Sequence, residues 1–119
     1  MHVTVNSQLL AAELRLLNKV VPAKPAIAIL SHALFDADGG LALWATDLEV
    51  GLSCRCPAQV HEPGSVALPV AKFLALVEQF ANGDVVISSE EQYVTVRCGT
   101  FKSKLRASPV GDFPRQPKV

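Results

Sequence analysis

Two acidic residues and two cysteines stand close together between residues 42 and 56 of this sequence. Asp47 and Glu49 come a few positions before Cys54 and Cys56. Carboxylates and thiolates are ligands for metal ions, and a cysteine beside an ionisable partner can act as a nucleophile. The spacing therefore raises two possibilities, a metal site and a covalent catalytic site, and the predicted local structure decides between them.

Residues 48–56 alternate in polarity, which predicts a strand with one apolar and one polar face. Cys54 and Cys56 fall on the same face as Val50 and away from Glu49. Residues two apart on a strand are separated by about 6.5 to 7 Å, at the limit for a disulfide, and zinc needs about four convergent ligands. The thiols are therefore predicted to be buried structural groups, since a free cysteine behaves as a small hydrophobe.

Asp47 lies between two predicted strands, where a short carboxylate commonly accepts hydrogen bonds from turn amides. An enzymatic alternative makes Asp47, Glu49 and Asp112 ligands of a magnesium-like ion in a small hydrolase, since hard cations prefer oxygen ligands. The sequence shows no Ser-His-Asp set, phosphate-binding loop or closed metal-ligand spacing. The turn is therefore favoured over the hydrolase, and no catalytic residue, metal ligand or cofactor is predicted.

Composition indicates one globular domain without an overall charge bias. Half of the 119 residues are apolar, and a chain of this length buries roughly two-thirds of its unfolded surface. Eleven basic residues balance eleven acidic ones, so nucleic acid would have to be bound by a local basic face. The odd count of three cysteines, without a secretory signal or a bilayer-spanning apolar run, leads us to expect a cytoplasmic protein with reduced thiols and no membrane partner.

Hydrophobic periodicity predicts a strand–helix–three-strand order that occurs twice. The first helix covers about 7–20 behind an Asn6 or Ser7 cap, and the second begins near Pro69 and ends before Gly83. After a short first strand, strands are predicted at about 31–37, 41–45, 48–56, 65–68, 84–88, 92–98 and 101–107. This repeat predicts an α+β fold in one domain over 1–119, with two helices packed side by side on two antiparallel sheets and a loop-like tail at 109–119.

Two segments carry local basic charge. Arg15 and Lys19 share the polar face of the first helix, and Lys24 follows on a loop that two prolines stiffen. The last predicted strand carries three cations on one face, namely Lys102, Lys104 and Arg106. Such a stripe can bind phosphates, but charges on an edge strand also prevent unwanted sheet pairing, and this second interpretation is favoured.

Seven short segments occur in a specific order and spacing along the chain. They are VTVNSQLL at 3–10, KPAIAIL at 24–30, TDLEVGL at 46–52, HEPG at 61–64, PVAKF at 69–73, VRCG at 96–99 and DFP at 112–114. Together they resemble the amino-terminal domain of the bacterial sliding clamp, the β subunit of DNA polymerase III, over essentially the whole sequence. The resemblance implies a clamp domain that is the first of three in a longer chain, with two chains joined head to tail in a ring.

The resemblance also implies a non-enzymatic function in DNA replication. In the family the helices line a central hole through which duplex DNA passes, and the ring tethers the replicative polymerase. Sliding requires weak phosphate contacts, because base-edge contacts would hold the ring at one position. By this resemblance Arg15, Lys19, Lys24 and Lys72 are expected to contact DNA, whereas Ala71 stands where family members can carry a further basic residue. Polymerase and clamp loader are expected to bind the other two domains.

In the family the seam between subunits is formed by the second helix and the last strand. The corresponding residues are Lys72, Phe73, Leu76, Ser103 and Leu105. Ser103 stands where a large apolar residue can occur, so the seam is expected to be weaker or to be repacked around Phe101. The edge charges would then select a partner chain. As an alternative to the clamp, a free-standing module could bind peptides by strand addition along 101–107.

Overall fold

In the computed structural model, which describes residues 1–21, 28–108 and 110–114, two helices pack on two antiparallel sheets. Helix α1 spans Ser7–Asn18 and helix α2 spans Val70–Glu78. The strands are β1 (His2–Asn6), β2 (His32–Ala37), β3 (Leu41–Thr46), β4 (Gly51–Cys56), β5 (Ala58–Glu62), β6 (Gly64–Pro69), β7 (Asp84–Glu90), β8 (Tyr93–Cys98) and β9 (Phe101–Arg106). The predicted α+β architecture is confirmed. Neither described helix is long and apolar enough to span a membrane.

Each sheet combines strands from both halves of the chain. The five-stranded sheet has the order β5-β1-β7-β8-β9, and the four-stranded sheet has the order β4-β3-β2-β6. The first half of the chain contributes β1 to β4, and the second half contributes β6 to β9. In each sheet, three consecutive strands of one half pair with the first strand of the other half, since β1 pairs with β7 and β6 pairs with β2. The predicted strand–helix–three-strand repeat is confirmed, with the two halves interlocked by this exchange.

One strand of the structure does not follow from the sequence pattern. Within the described part of the chain, β5 pairs only with β1, at the edge of the five-stranded sheet. Ala58 and Val60 are half-buried and the other three residues are exposed, but an alternation with only two apolar residues is too short to predict a strand by itself. The register of the β1–β5 pair shifts between His2 and Val3, which is the irregularity expected of an edge strand.

The two helices begin in different ways. In α1 the side chain of Asn6 accepts hydrogen bonds from the backbone N–H groups of Gln8 and Leu9 at 3.0 and 3.1 Å, as a helix cap requires. Helix α2 follows Pro69, which adopts an extended conformation and provides no side-chain cap. The core-facing residues of α1 are Ser7, Leu10, Ala11, Leu14 and Leu17, and those of α2 are Val70, Phe73, Leu74 and Val77. Apolar burial therefore holds α2 in place without help from a cap.

A second, smaller apolar cluster lies on the outer face of the four-stranded sheet. Trp44 is 9% exposed and Phe113 is 4% exposed, and both pack with Ala67. The indole N–H of Trp44 donates a hydrogen bond to the backbone carbonyl of Pro114 at 2.9 Å. Residues 110–114, part of the predicted tail, are therefore folded against the domain. Residues 109 and 115–119 of that tail lie outside the described residues.

The turn before β4 is built by two side chains. Asp47 Oδ1 accepts hydrogen bonds from the backbone N–H groups of Glu49 and Val50 at 2.9 and 2.6 Å. Thr46 Oγ1 donates to the Val50 carbonyl and accepts from the N–H of Leu48, which has a φ of 81°. The predicted turn function of Asp47 is confirmed. The strand, however, begins at Gly51, and Val50 is 56% exposed, because these hydrogen bonds keep residues 47–50 out of the sheet.

Replacing Gly51 by alanine tests the packing of Trp44. A Cβ at Gly51 would overlap the indole ring, so we expect the ring to move and the free energy of unfolding to fall by about 1 to 3 kcal/mol. Urea denaturation gives the stability, and fluorescence of the single tryptophan reports its environment. Gly111→Ala is the control because no atom lies within 4 Å of its added Cβ. Equal stability and emission of the two variants would contradict this packing.

Replacing Asp47 by asparagine tests the turn through its pH dependence. The amides of Val50 and Glu49 lower the pKa of Asp47 below its ordinary value, so the folded state favours the ionised carboxylate. This stabilisation is complete above the ordinary aspartate pKa and is lost as pH falls through the lower folded-state pKa. The melting temperatures of wild type and Asp47→Asn should therefore differ at pH 7 and converge in acid. Asp38→Asn, in an exposed hairpin turn, is the control, and a pH-independent difference would refute the mechanism.

Candidate nucleic-acid interface and sheet edge

The two cysteines that could bind metal lie under α1. Cys56 is 2% exposed and Cys54 is half-buried beside Glu13 of α1. Burial, together with the nearby carboxylate, raises the pKa of Cys54 to about 12 and that of Cys56 to about 11. Both thiols are therefore protonated near neutral pH and are poor nucleophiles and poor metal ligands. The approach of Glu13 depends on tertiary packing, and nothing in the strand pattern of β4 indicates it.

The described residues hold no cluster of three or more metal-ligating side chains. Asp47 is occupied by the turn amides, and Glu49 is exposed on the same loop. The side chain of Asp112, the third residue of the magnesium hypothesis, lies outside the described residues. The geometry therefore gives the hydrolase no support.

The surface of the helix layer that points away from the sheets combines basic and apolar side chains, since Leu9 and Leu16 of α1 are 49% and 45% exposed. Three cations are exposed here, namely Arg15 of α1, Lys19 at the C-terminal cap of α1 and Lys72 of α2. Ala71, next to Lys72, is also exposed. We call this surface the helix face and define it by Gln8, Arg15, Asn18, Lys19, Ala71 and Lys72. Lys24 lies outside the described residues, so its place beside the helix face stays a prediction.

An ion pair on the helix face connects the two helices. Arg15 Nε lies 3.3 Å from Glu78 Oε2, and the two side chains are 56% and 45% exposed. An exposed pair of this kind contributes little to stability, so Arg15 can exchange its carboxylate partner for a phosphate. The sequence pattern does not reveal Glu78 as a neighbour of Arg15, because the two residues are 63 positions apart.

Among the residues that the structure describes, β9 pairs only with β8 and forms an edge of the five-stranded sheet. Ser103 and Leu105 are half-buried on the side toward the core, and Leu76 of α2 is half-buried as well. Phe101 is 65% exposed, and its ring centroid lies 6.2 Å from that of Phe80. The edge therefore presents unpaired backbone groups beside a partly apolar strip, which is a suitable surface for strand pairing.

Phe73, predicted at the subunit seam, occupies a different place. Its side chain is fully buried, and its ring lies 5.5 Å from that of Phe35 between α2 and the four-stranded sheet. In a helix, Phe73 and Leu76 are three positions apart and share a side, but only Leu76 lies far enough around the helix to be reached from outside. Phe73 therefore supports α2 from within the core and does not offer a contact surface.

Comparison with known proteins matches the chain to one family over nearly its full length. The family model described as DNA polymerase III beta subunit, N-terminal domain, matches residues 1–117. The beta sliding clamp of Escherichia coli strain K12 is 32% identical over 117 residues, which are 96% of this chain and 32% of that protein. The beta sliding clamp of Chlamydia muridarum is 29% identical over 102 residues. The chain thus spans about one-third of the length of these relatives.

Solved structures agree with the sequence comparison. The crystal structure of the DNA polymerase III subunit beta from Pseudomonas aeruginosa superposes with a TM-score of 0.94 at 30% identity, over 100% of this chain and 33% of that one. The Caulobacter crescentus beta sliding clamp gives a TM-score of 0.94 at 29% identity, over 99% of this chain and 32% of the other. Sequence and fold therefore show that the chain belongs to the DNA polymerase III beta subunit family and corresponds to its N-terminal domain.

Proposed function

We propose that this chain acts as the first of three domains of a sliding clamp, a ring that encircles duplex DNA in the bacterial cytoplasm and tethers DNA polymerase III. The observation that supports this most strongly is the match of the whole chain, in sequence and in fold, to one-third of known clamps. The function requires no catalytic group. DNA contact and subunit pairing are then the two tasks of this domain, and polymerase and clamp loader bind the other domains.

The helix face is the surface that we assign to DNA. Among the described residues, Lys19 and Lys72 have no ion-pair partner, and Arg15 has only the exposed pair with Glu78. A few separated cations bind phosphates weakly and without reading sequence. Ala71 contributes no charge, and Lys24 would add one from its loop. A surface with so few cations suits a ring that must slide, because each phosphate contact is broken and remade easily.

The β9 edge is the surface that we assign to the second subunit. In a head-to-tail ring, a strand from the third domain of the partner chain would pair with β9 and continue the five-stranded sheet. Leu76, Leu105 and Phe101 supply the apolar contacts, and Ser103 leaves a gap among them. Because head-to-tail contacts use two different surfaces, this domain holds only one half of the seam. Strand addition by a free peptide would use the same edge, but the family match favours a subunit.

Removing one cation from the helix face tests the DNA assignment. We expect Lys19→Gln to weaken binding of a short duplex and to reduce the slope of log K against log salt concentration by about 0.9. Arg55→Gln removes an equally exposed cation from β4 and should leave that slope unchanged. An NMR titration at several salt concentrations gives both the affinity and the location of the shift changes. Salt-independent binding, or equal effects of the two variants, would refute the assignment.

Filling the gap at Ser103 tests the seam. In the full-length clamp that contains this domain, Ser103→Leu should bury a larger apolar side chain between subunits and lower the dimer dissociation constant about tenfold. Leu105→Ser should raise it. Analytical ultracentrifugation measures both, and Ser53→Leu, at an exposed position on β4 in the other sheet, is the matched control. If the dissociation constant responds to none of the β9 variants, β9 is not the seam.

A further inference from the structure

The outer face of the β8–β9 hairpin carries a dense group of positive charges. Four exposed cations project from it, namely Arg97, Lys102, Lys104 and Arg106. In the register of the two strands, Arg97 lies opposite Lys102, Thr95 opposite Lys104 and Tyr93 opposite Arg106. Side chains alternate along a strand, so all of these residues point away from the helices. We call this surface the hairpin face.

The Arg97–Lys102 pair is unfavourable for the isolated domain. Like charges directly opposite each other on neighbouring strands destabilise a sheet. The next residue across the sheet from Arg97 is Val86 of β7, which carries no charge, and Asp84 on the same face of β7 forms no ion pair with Arg97 in the described part of the chain. A local arrangement that weakens the fold, with no ion pair to offset the repulsion, is typical of a functional site.

Acidic residues lie near both ends of the hairpin face, Asp84 on the side of Arg97 and Glu90 and Glu91 on the side of Tyr93. Glu90 Oε2 lies 3.9 Å from Lys104 Nζ, and both side chains are more than half exposed, so the pair neutralises Lys104 only weakly. Glu91 lies in the β7–β8 turn beside Tyr93. Among the described residues, neither Arg97 nor Lys102 has an ion-pair partner. The positive charge of Arg97 and Lys102 is thus available to an external anion.

The arrangement of charges and an aromatic ring fits an extended polyanion. Lys102, Lys104 and Arg106 project at intervals of about 6.7 Å along β9, so they form a row that one chain of phosphates can follow. Tyr93, 43% exposed, stands at one end of this row beside Arg106. Unpaired bases stack on such rings, whereas the bases of a duplex are already stacked on each other. We propose that the hairpin face binds single-stranded DNA.

This surface is separate from the one assigned to duplex DNA. Val94 and Val96, which alternate with the outward residues of β8, are fully buried and lie between the hairpin face and the helix layer. A duplex against the helices therefore cannot reach Arg97 or Lys102. The inference goes beyond the tethering function, because it gives the domain a second contact on its outer side, to an unpaired strand.

Neutralising the like-charge pair tests the proposal. Fluorescence anisotropy of a labelled oligo-dT measures single-strand binding by the 119-residue chain and its variants over a range of salt concentrations. The double variant Arg97→Gln/Lys102→Gln should reduce the magnitude of the salt slope by about 1.4, or about 0.7 for each lost contact. Its melting temperature should be unchanged or higher, since a repulsion is removed. That result separates loss of binding from loss of folding.

The matched control removes the same charge from the opposite side. Arg15→Gln/Lys19→Gln should weaken duplex binding and leave oligo-dT binding unchanged, and the hairpin variant should do the reverse. If oligo-dT binding survives the hairpin change, the further inference is wrong, whatever the duplex result. If duplex binding survives the helix change, the proposed function of the helix face is wrong instead. If poly-glutamate binds the hairpin face and oligo-dT does not, the surface recognises an acidic protein and the inference is overturned.

The aromatic ring has its own test. Tyr93→Ala should weaken oligo-dT binding about 5- to 100-fold, whereas Tyr93→Phe should retain it, because stacking needs the ring and not the hydroxyl. Neither variant should change duplex binding. Equal binding by the alanine and phenylalanine variants would mean that charge alone attracts the strand, and the single-strand assignment would fall.

Discussion

The exchange of first strands between the two halves is the constraint on which the rest of this structure depends. β1 belongs to the first half of the chain but completes the sheet of the second half, and β6 does the reverse. Neither half of the chain can complete a sheet by itself, because each half gives its first strand to the sheet of the other half. The two helices connect these exchanged strands to the next sheet, so their positions side by side follow from the exchange. The helix face and the β9 edge are therefore placed by the same contacts that form the core.

The repeat, both helices and most strands could be predicted from the sequence because each rests on local signals. Asn6 before the Leu10 and Leu14 spacing predicts α1, and the side chain of Asp47 between two strands predicts its turn. Contacts between distant segments could not be predicted, since no local period encodes them. The Arg15–Glu78 ion pair and the approach of Glu13 to Cys54 are both of this kind.

On the candidate surfaces, too, local features could be predicted from the sequence and contacts between segments could not. Periodicity places Arg15 and Lys19 on the outside of α1, where the structure confirms their exposure. Periodicity also places Phe73 and Leu76 on one side of α2, but it cannot say which of the two faces the core and which reaches the edge. The opposition of Arg97 and Lys102 depends on strand register, which the hairpin turn at residues 99–100 sets. A sequence pattern shows that both residues are basic but does not show that they meet.

The contact between Trp44 and the backbone of Pro114 affects how a longer chain of this family could move. Because Phe113 and Pro114 are anchored to the four-stranded sheet, residues 110–114 belong mechanically to the domain that precedes them. Any hinge between this domain and a following one must then lie after residue 114. One aromatic side chain thus extends the rigid part of the domain as far as Pro114.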